Sequence, residues 1–375
     1  MCAVAVAAVL AAACSDGVAR PAIGFTYNWG DSPLERFVEH ALNDGVRPRD
    51  SLRLVFESRG GWQQYGSSTM AAEVRRASLI AADSEVLAVI GPGGSREALQ
   101  VAPIYAEAGV AMIVPTGTSR LLAGAGDHVL RLAPDDSVQG EFIAAFADTA
   151  PGAKSLAVFH VPDEYGIGLA AGTASTAAAR GLQILVRTPI ALVRACGDRG
   201  DGDAYYARLA TDLARRGRPD AVVLAMRTVE AGCLATALRA RWPGIVLIAG
   251  DGVYLDTPLF NSAGTAVDGM YLVAFWHPEI PSARAREFAV EYRRVTGREP
   301  RHGDAVFVDG ALLVAQAIRG GARSRPALLR ALRETGTRRP AFEGYSGTIS
   351  FASDARRPLW MTRIVGRGSV LLAGR

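Results

Sequence analysis

Past residue 20, short apolar runs alternate with longer stretches whose apolar residues recur every three or four places. PAIGFTY (21–27) is a short apolar run, and SPLERFVEHAL after it has helical spacing. SLRLVFES (51–58) alternates as a strand does, and SSTMAAEVRRASLIAAD predicts a helix capped by Ser67 or Ser68. VLAVIG (86–91) is wholly apolar, SREALQVAPIYAEAG is helical up to Gly109, and VAMIVP (110–115) is apolar again. Near-continuous apolar strands joined by helices predict a parallel sheet covered on both faces. Right-handed crossovers make it doubly wound.

The pattern restarts after residue 135. SLAVFHV (155–161), LQILVRT (182–188), DAVVLAM (220–226) and IVLIAG (245–250) read as strands, with helical stretches over 165–180, 203–216 and 229–241. Two α/β units in series are expected. GMYLVAF (269–275), helices near 282–296, 303–320 and 324–335, and a terminal β region follow. That remainder has too few strands for a third domain, so it is expected to return and complete the two earlier sheets. No solenoid-period repeat or low-complexity linker interrupts the chain.

Composition narrows the partners. The 375 residues are 49% hydrophobic, enough for two or three domain-sized cores. The net charge of +4 comes almost wholly from arginine, Lys154 being the one lysine. The densest basic runs are the pairs Arg338-Arg339 and Arg356-Arg357, not a stripe with aromatics, so nucleic acid is not an expected partner. Ala3 to Ala13 contains only Ala, Val and Leu and ends at Cys14. This run is far short of the ~20 residues that span a bilayer, and reads as the apolar core of an export signal. Leu10-Ala11-Ala12-Ala13-Cys14 resembles a bacterial lipobox, although its leucine stands four places before the cysteine and not three. Lipidation at Cys14 and an ordinary cleavable signal are both open. The missing basic n-region leaves a start upstream of Met1 open as well. No later run has 18 consecutive apolar residues. Cys196 and Cys233 are equally compatible with a disulfide and with two thiols. The five histidines are scattered, so no metal site is expected.

Three glycine-bearing strand-to-helix junctions carry the candidate chemistry: GPGGS (91–95), PTGTS (115–119) and DEYGIGLAAG (163–172). All lie beyond carboxyl ends of strands, where open α/β sheets bind ligands. GPGGSREA lacks the lysine of a P-loop, and GIGLAAG has one residue too many for a dinucleotide fingerprint, with no acidic residue at the next strand end. A carboxylate fits better. A helix N-terminus presents unpaired N–H groups and partial positive charge. Ser95 is placed at the N-cap, and Thr116 and Thr118 flank Gly117 in the neighbouring loop. The plainer alternative is that Ser95 caps only its helix and Thr118 only the next turn.

These residues, in this order, resemble the type 1 periplasmic solute-binding proteins, above all the branched-chain amino-acid and amide receptors of ABC importers. LAVIGPGGSREALQVAPIYAEAGVAMIVPTGTS carries the likeness most specifically. VLRLAPDDSVQGEFIAAF, IAGDGVY and EGYSGTISFASD extend it over about 21 to 355. The resemblance implies two Rossmann-like lobes joined by a three-crossing hinge, with the ligand between them. It implies a signal and lipobox at 1–14, an N-terminal lobe from 20–135 plus 277–345, and a C-terminal lobe from 136–276 plus 346–375.

The same resemblance assigns roles. Ser95 and Thr116-Gly117-Thr118 match the groups that bind a ligand's α-carboxylate. Tyr165 matches the aromatic that closes over the ligand, Asp251 the acid that binds an α-ammonium, and Trp29 the wall of the side-chain pocket. Tyr165 and Trp29 have packing alternatives, and Asp251-Gly252 is also a common turn pair. Arg227 stands where such receptors often place a second aromatic. It is open to a salt bridge with Asp251, to an acidic or amide group of the ligand, or to solvent. The implied protein is no enzyme and needs no cofactor. It binds an amino acid or related carboxylate and passes it to an ABC permease, outside the cytoplasm, held to the membrane by its lipid alone. A nicotinamide-dependent Rossmann enzyme and a receptor feeding a separate signalling protein are the alternatives.

Overall fold

The computed structural model describes residues 21–26, 32–47, 50–56, 67–191, 196, 201–352 and 357–374. Cys14, with the leader, and Trp29 lie outside the described residues.

Five strands form the first sheet: β1 (Ala22–Phe25), β2 (Arg53–Phe56), β3 (Val86–Ile90), β4 (Ala111–Val114) and β5 (Val129–Arg131). Their order is β2-β1-β3-β4-β5, all parallel. Alternate residues feed opposite faces. In β4, Ala111 and Ile113 enter the larger core while Met112 and Val114 enter a second cluster with Ile80, Val101 and Tyr105. Those last residues come from α2 (Ser67–Ala82) and α3 (Ser95–Ala108). The other face is covered by α1 (Ser32–Asn43) and α10 (Asp304–Arg319).

The second sheet contains β6 (Ser155–His160), β7 (Gln183–Pro189), β8 (Ala221–Ala225), β9 (Val246–Ala249), β10 (Tyr271–Ala274), β13 (Trp360–Val365) and β14 (Gly368–Gly374). Its order is β14-β13-β10-β9-β8-β6-β7. The strands from β6 to β10 are parallel, and β13 and β14 are antiparallel additions. Its helices are α4 (Asp136–Thr149), α5 (Glu164–Ala179), α6 (Asp201–Arg216), α7 (Thr228–Arg241) and α8 (Thr257–Ala263). The strands β11 (Phe342–Glu343) and β12 (Thr348–Ile349) pair apart from both sheets.

The tail therefore does not complete both sheets, as the pattern suggested. Its hairpin joins the second sheet alone. Gly366 turns with φ +59° between β13 and β14, and strands tied by so tight a turn add to one edge as a unit. The helices α9 (Ala283–Thr296), α10 and α11 (Arg325–Arg333) follow β10 in sequence. They nevertheless pack on α1, β3 and β4 of the first lobe. The chain thus crosses between the lobes three times: after β5, after β10 and before β13. Two α/β lobes on a three-crossing hinge match the expected architecture.

Cys196 and Cys233 form a disulfide across 37 residues, tying α7 to the segment before α6. No described helix is long and apolar enough to cross a membrane.

Candidate functional site

The first wall follows from strand adjacency. Because β3 and β4 are neighbours, the loops after them lie side by side. Gly91 leaves β3 at φ +105°, where a Cβ would stand 2.0 Å from the Thr26 carbonyl oxygen. Gly94 is the N-cap of α3 and offers no side chain to the first turn. Ser95 is the first helical residue and not the cap that the sequence suggested. Its Oγ accepts from the Thr118 N–H at 3.1 Å and from the Ser119 N–H at 3.0 Å. Both lone pairs are thus engaged, and the hydroxyl keeps its proton for an acceptor. Thr116 Oγ1 donates to the Gly93 carbonyl at 3.0 Å. Ser119, not Thr118, caps the next turn, accepting from the Leu121 N–H at 3.3 Å. The capping alternative therefore fails for both Ser95 and Thr118. Thr118 is fully buried, and its Oγ1 has no hydrogen-bond partner among the described residues.

The second wall comes from β6, β8 and β9, also neighbours. Asp163 caps α5 by accepting from the Gly166 N–H at 3.0 Å. Its Oδ2 meets the Arg227 guanidinium at 2.7 Å. Of the fates open to Arg227, the structure selects an ion pair, with Asp163 and not Asp251. Asp251 is 4% exposed. Its Oδ1 accepts from Gln139 Nε2 at 2.8 Å, and its N–H donates to Gln139 Oε1 at 3.0 Å. The Tyr165 hydroxyl accepts from the Gly252 N–H at 3.0 Å. Tyr165 is thus buried with its polar end on the Asp251 loop. Burial pushes the Asp251 carboxyl up to about 6, opposed by the bond from Gln139 and by the Tyr165 hydroxyl nearby.

A further acid, which sequence reasoning passed over, stands between the walls. Asp136 opens α4 and has no exposed surface. Neither of its carboxyl oxygens has a well-formed hydrogen bond among the described residues, and the equally unpartnered Thr118 hydroxyl faces it. Burial, with Asp251 and Asp135 nearby, pushes Asp136 up to about 8. An isolated buried carboxylate is costly, and burial favours the protonated form of both acids, Arg131 opposing it at Asp136. The only local signal was the doubled acid in APDDS, which reads as helix capping. Asp135 does perform that role. Gln139 had no signal.

The glycines of GIGLAAG serve packing and not a dinucleotide. A Cβ at Gly166 would lie 2.2 Å from the Val161 carbonyl oxygen, and one at Gly168 would lie 2.4 Å from Asp136 Oδ2. At Gly172 it would meet the Asp136 carbonyl oxygen at 2.7 Å. These positions sit within α5 where it presses on α4.

Residues 64–368, most of the chain, match the family model of the periplasmic binding proteins. The chain belongs to the periplasmic binding protein family. This periplasmic binding protein is 30% identical over 182 residues to a Leu/Ile/Val-binding protein, BraC3, of Rhizobium johnstonii, covering 48% of this chain and 46% of that one. It is 26% identical over 246 residues to an amino acid binding protein of Pseudomonas aeruginosa, covering 65% of this chain and 62% of that one. The matches thus span about half to three fifths of these relatives. Among solved structures, the leucine binding protein LivK of Thermotoga maritima superposes with TM-score 0.78 at 24% identity, over 94% of this chain and 98% of that one. LivJ of Streptococcus pneumoniae, in complex with isoleucine, gives 0.78 at 21%, over 94% and 99%. A solute binding protein of Rhodopseudomonas palustris holding 3,4-dihydroxybenzoic acid gives 0.76 at 19%, over 95% and 97%. These structural likenesses establish the fold.

Proposed function

We propose that this periplasmic binding protein is the extracytoplasmic receptor of an ABC importer and that its guest is an amino acid. One observation carries the choice of guest: two buried acids, Asp251 and Asp136, stand across from a wall of hydroxyls and an uncapped helix N-terminus. A zwitterion answers both walls. Its carboxylate takes the Ser95 proton, the Thr118 hydroxyl and the first N–H groups of α3. Thr116 and Gly117 shape the loop that carries them. Its ammonium meets Asp251, which Gln139 holds, and Asp136 beside it. A benzoate-type guest has no ammonium and would leave both acids unanswered, at the cost of an uncompensated buried charge or of protonation. The names of the two curated relatives point the same way.

The lobes as delimited from the sequence, the lipid anchor at Cys14 and delivery to permease subunits complete the proposal. The disulfide suits an oxidising compartment. Micromolar affinity needs about 8 kcal/mol. A few charge-assisted bonds, each about 1.5–3 kcal/mol, reach it once closure costs are met.

A thermal-shift screen of the purified protein without its leader tests the reading, because a guest bound only to the folded state raises its melting temperature. Amino acids are expected to stabilise it and benzoates are not. Stabilisation by benzoate with no response to any amino acid would overturn the assignment.

A further inference from the structure

We propose that Tyr254 is the specificity-determining residue of the cleft, a cross-lobe wall that restricts the guest to a short, uncharged side chain. This inference rests on the amino-acid reading and adds to it.

Tyr254 lies three residues past Asp251, in the loop after β9 of the second lobe. The loop is pinned there: the Tyr254 N–H donates to Thr228 Oγ1 at 3.0 Å. The side chain itself reaches the first lobe at two points. Its ring stacks on His302, between α9 and α10, with centroids 4.5 Å apart and planes 16° from parallel. Its hydroxyl reaches the loop that carries Thr116, as the backbone of Gly303 between them shows. The phenol therefore stands beside the Thr116 loop of the first lobe.

The approach is close. A Cβ on Gly303 would sit 3.1 Å from Tyr254 Oη and 3.3 Å from Thr116 Cγ2. Phe275, where the chain leaves β10, packs at 5.7 Å on the His302 ring. The wall therefore backs onto the second crossing between the lobes. It cannot be pushed aside without disturbing the hinge.

The two rings of the wall are uncharged, and the charged neighbours Arg301 and Asp304 pair with each other at 3.5 Å. Burial pushes the His302 imidazole down to about 4 and raises the Tyr254 phenol, so both are neutral near pH 7. Neither supplies a countercharge for an acidic or basic side group. With both anchor walls fixed, the bulk of this ring is what a longer guest side chain meets. Truncation to alanine frees space of the order of a leucine or phenylalanine side chain.

The test is calorimetric titration of the wild-type protein, Y254A and Y254F with glycine, alanine, valine, leucine and phenylalanine. The wild type is expected to bind alanine-sized guests at least tenfold more tightly than leucine or phenylalanine. Y254A is expected to shift that preference by at least tenfold toward the larger pair. Y254F keeps the ring and is expected to keep the wild-type ranking. Y254V carries the same prediction as Y254A, at smaller amplitude, should Y254A not fold. An unchanged ranking in the truncated variants, or a wild type that prefers phenylalanine, overturns the wall and leaves the receptor reading intact. Binding of no amino acid by any of the proteins overturns both.

Discussion

The two walls of the cleft handle charge by opposite means. The first-lobe wall is neutral: Ser95, Thr118 and the start of α3 offer protons without a full charge. The second-lobe wall is ionic. Asp251 and Asp136 are buried acids, and two cations close by are paired with other acids, Arg227 with Asp163 and Arg131 with Asp135. A carboxylate can be held by several dipoles, each donating one bond, because its charge is spread over two oxygens. An ammonium taken from water needs a formal countercharge in the same place. The neutral wall should therefore recognise any carboxylate, and the ionic wall should decide which carboxylates are amino acids.

That division predicts unequal mutants. Asp251→Ala is expected to have the largest effect. Losing one partner of a buried ion pair costs about 3–5 kcal/mol, two to four decades of amino-acid affinity in titration calorimetry. A simple carboxylate should lose little, and an equal loss for both would break the comparison. Next comes the disulfide. Replacing Cys196 and Cys233 by serine, across their 37-residue separation, should cost about 4 kcal/mol of stability by loop entropy. Thermal denaturation should show the fall while the ranking of guests stays unchanged, because the bridge touches neither wall. A changed ranking would mean that lobe stability and recognition are not separable.

Ser95→Ala should cost about 1.5–3 kcal/mol of affinity, the value of a hydrogen bond to a charged group. It should do so alike for amino acids and simple carboxylates. A loss confined to amino acids would reverse the roles of the walls.

The smallest effect is on pH dependence. Folding raises Asp251 to about 6 and Asp136 to about 8, from about 3.9 in the unfolded chain. Between about pH 4 and pH 8 the folded protein holds the extra protons. The stability contributed by these acids is therefore full at the acid end and declines as pH rises. Amino-acid affinity should move the other way, rising by less than tenfold per pH unit as the acids ionise to meet the ammonium. Asp136→Asn should flatten the part between pH 6 and pH 8, as followed by calorimetry, and leave the part below pH 6. An unaltered profile would remove Asp136 from the ionic wall.

How much of this was legible depended on whether the signal was local. The glycine loops at 91–95 and 115–119 marked the neutral wall because a strand, a turn and a helix start leave a contiguous pattern. Even there the cap was misplaced by one residue. Gly94 takes the extended conformation, and Ser95 turns its oxygen to the next loop instead of its own helix. The ionic wall was half visible. Asp251 came through the resemblance. Asp136 was hidden among capping residues, and Gln139 reaches Asp251 across 112 positions of sequence. Nor did the spacing of Arg227 choose Asp163 over Asp251, since both lie at strand ends beside it.

The sequence by itself determined the parallel strands of the two sheets, the alternation of strand and helix, and the glycine turns at the strand ends. Each of these follows from short-range periodicity and from backbone conformations that neighbouring residues share. Only the tertiary structure decided that the terminal hairpin joins one sheet and that two buried acids come close to each other. It alone set a tyrosine of one lobe against a histidine and a threonine of the other. Those outcomes depend on which strand edges are adjacent and on which side chains lose water together, and neither quantity exists until the lobes have packed.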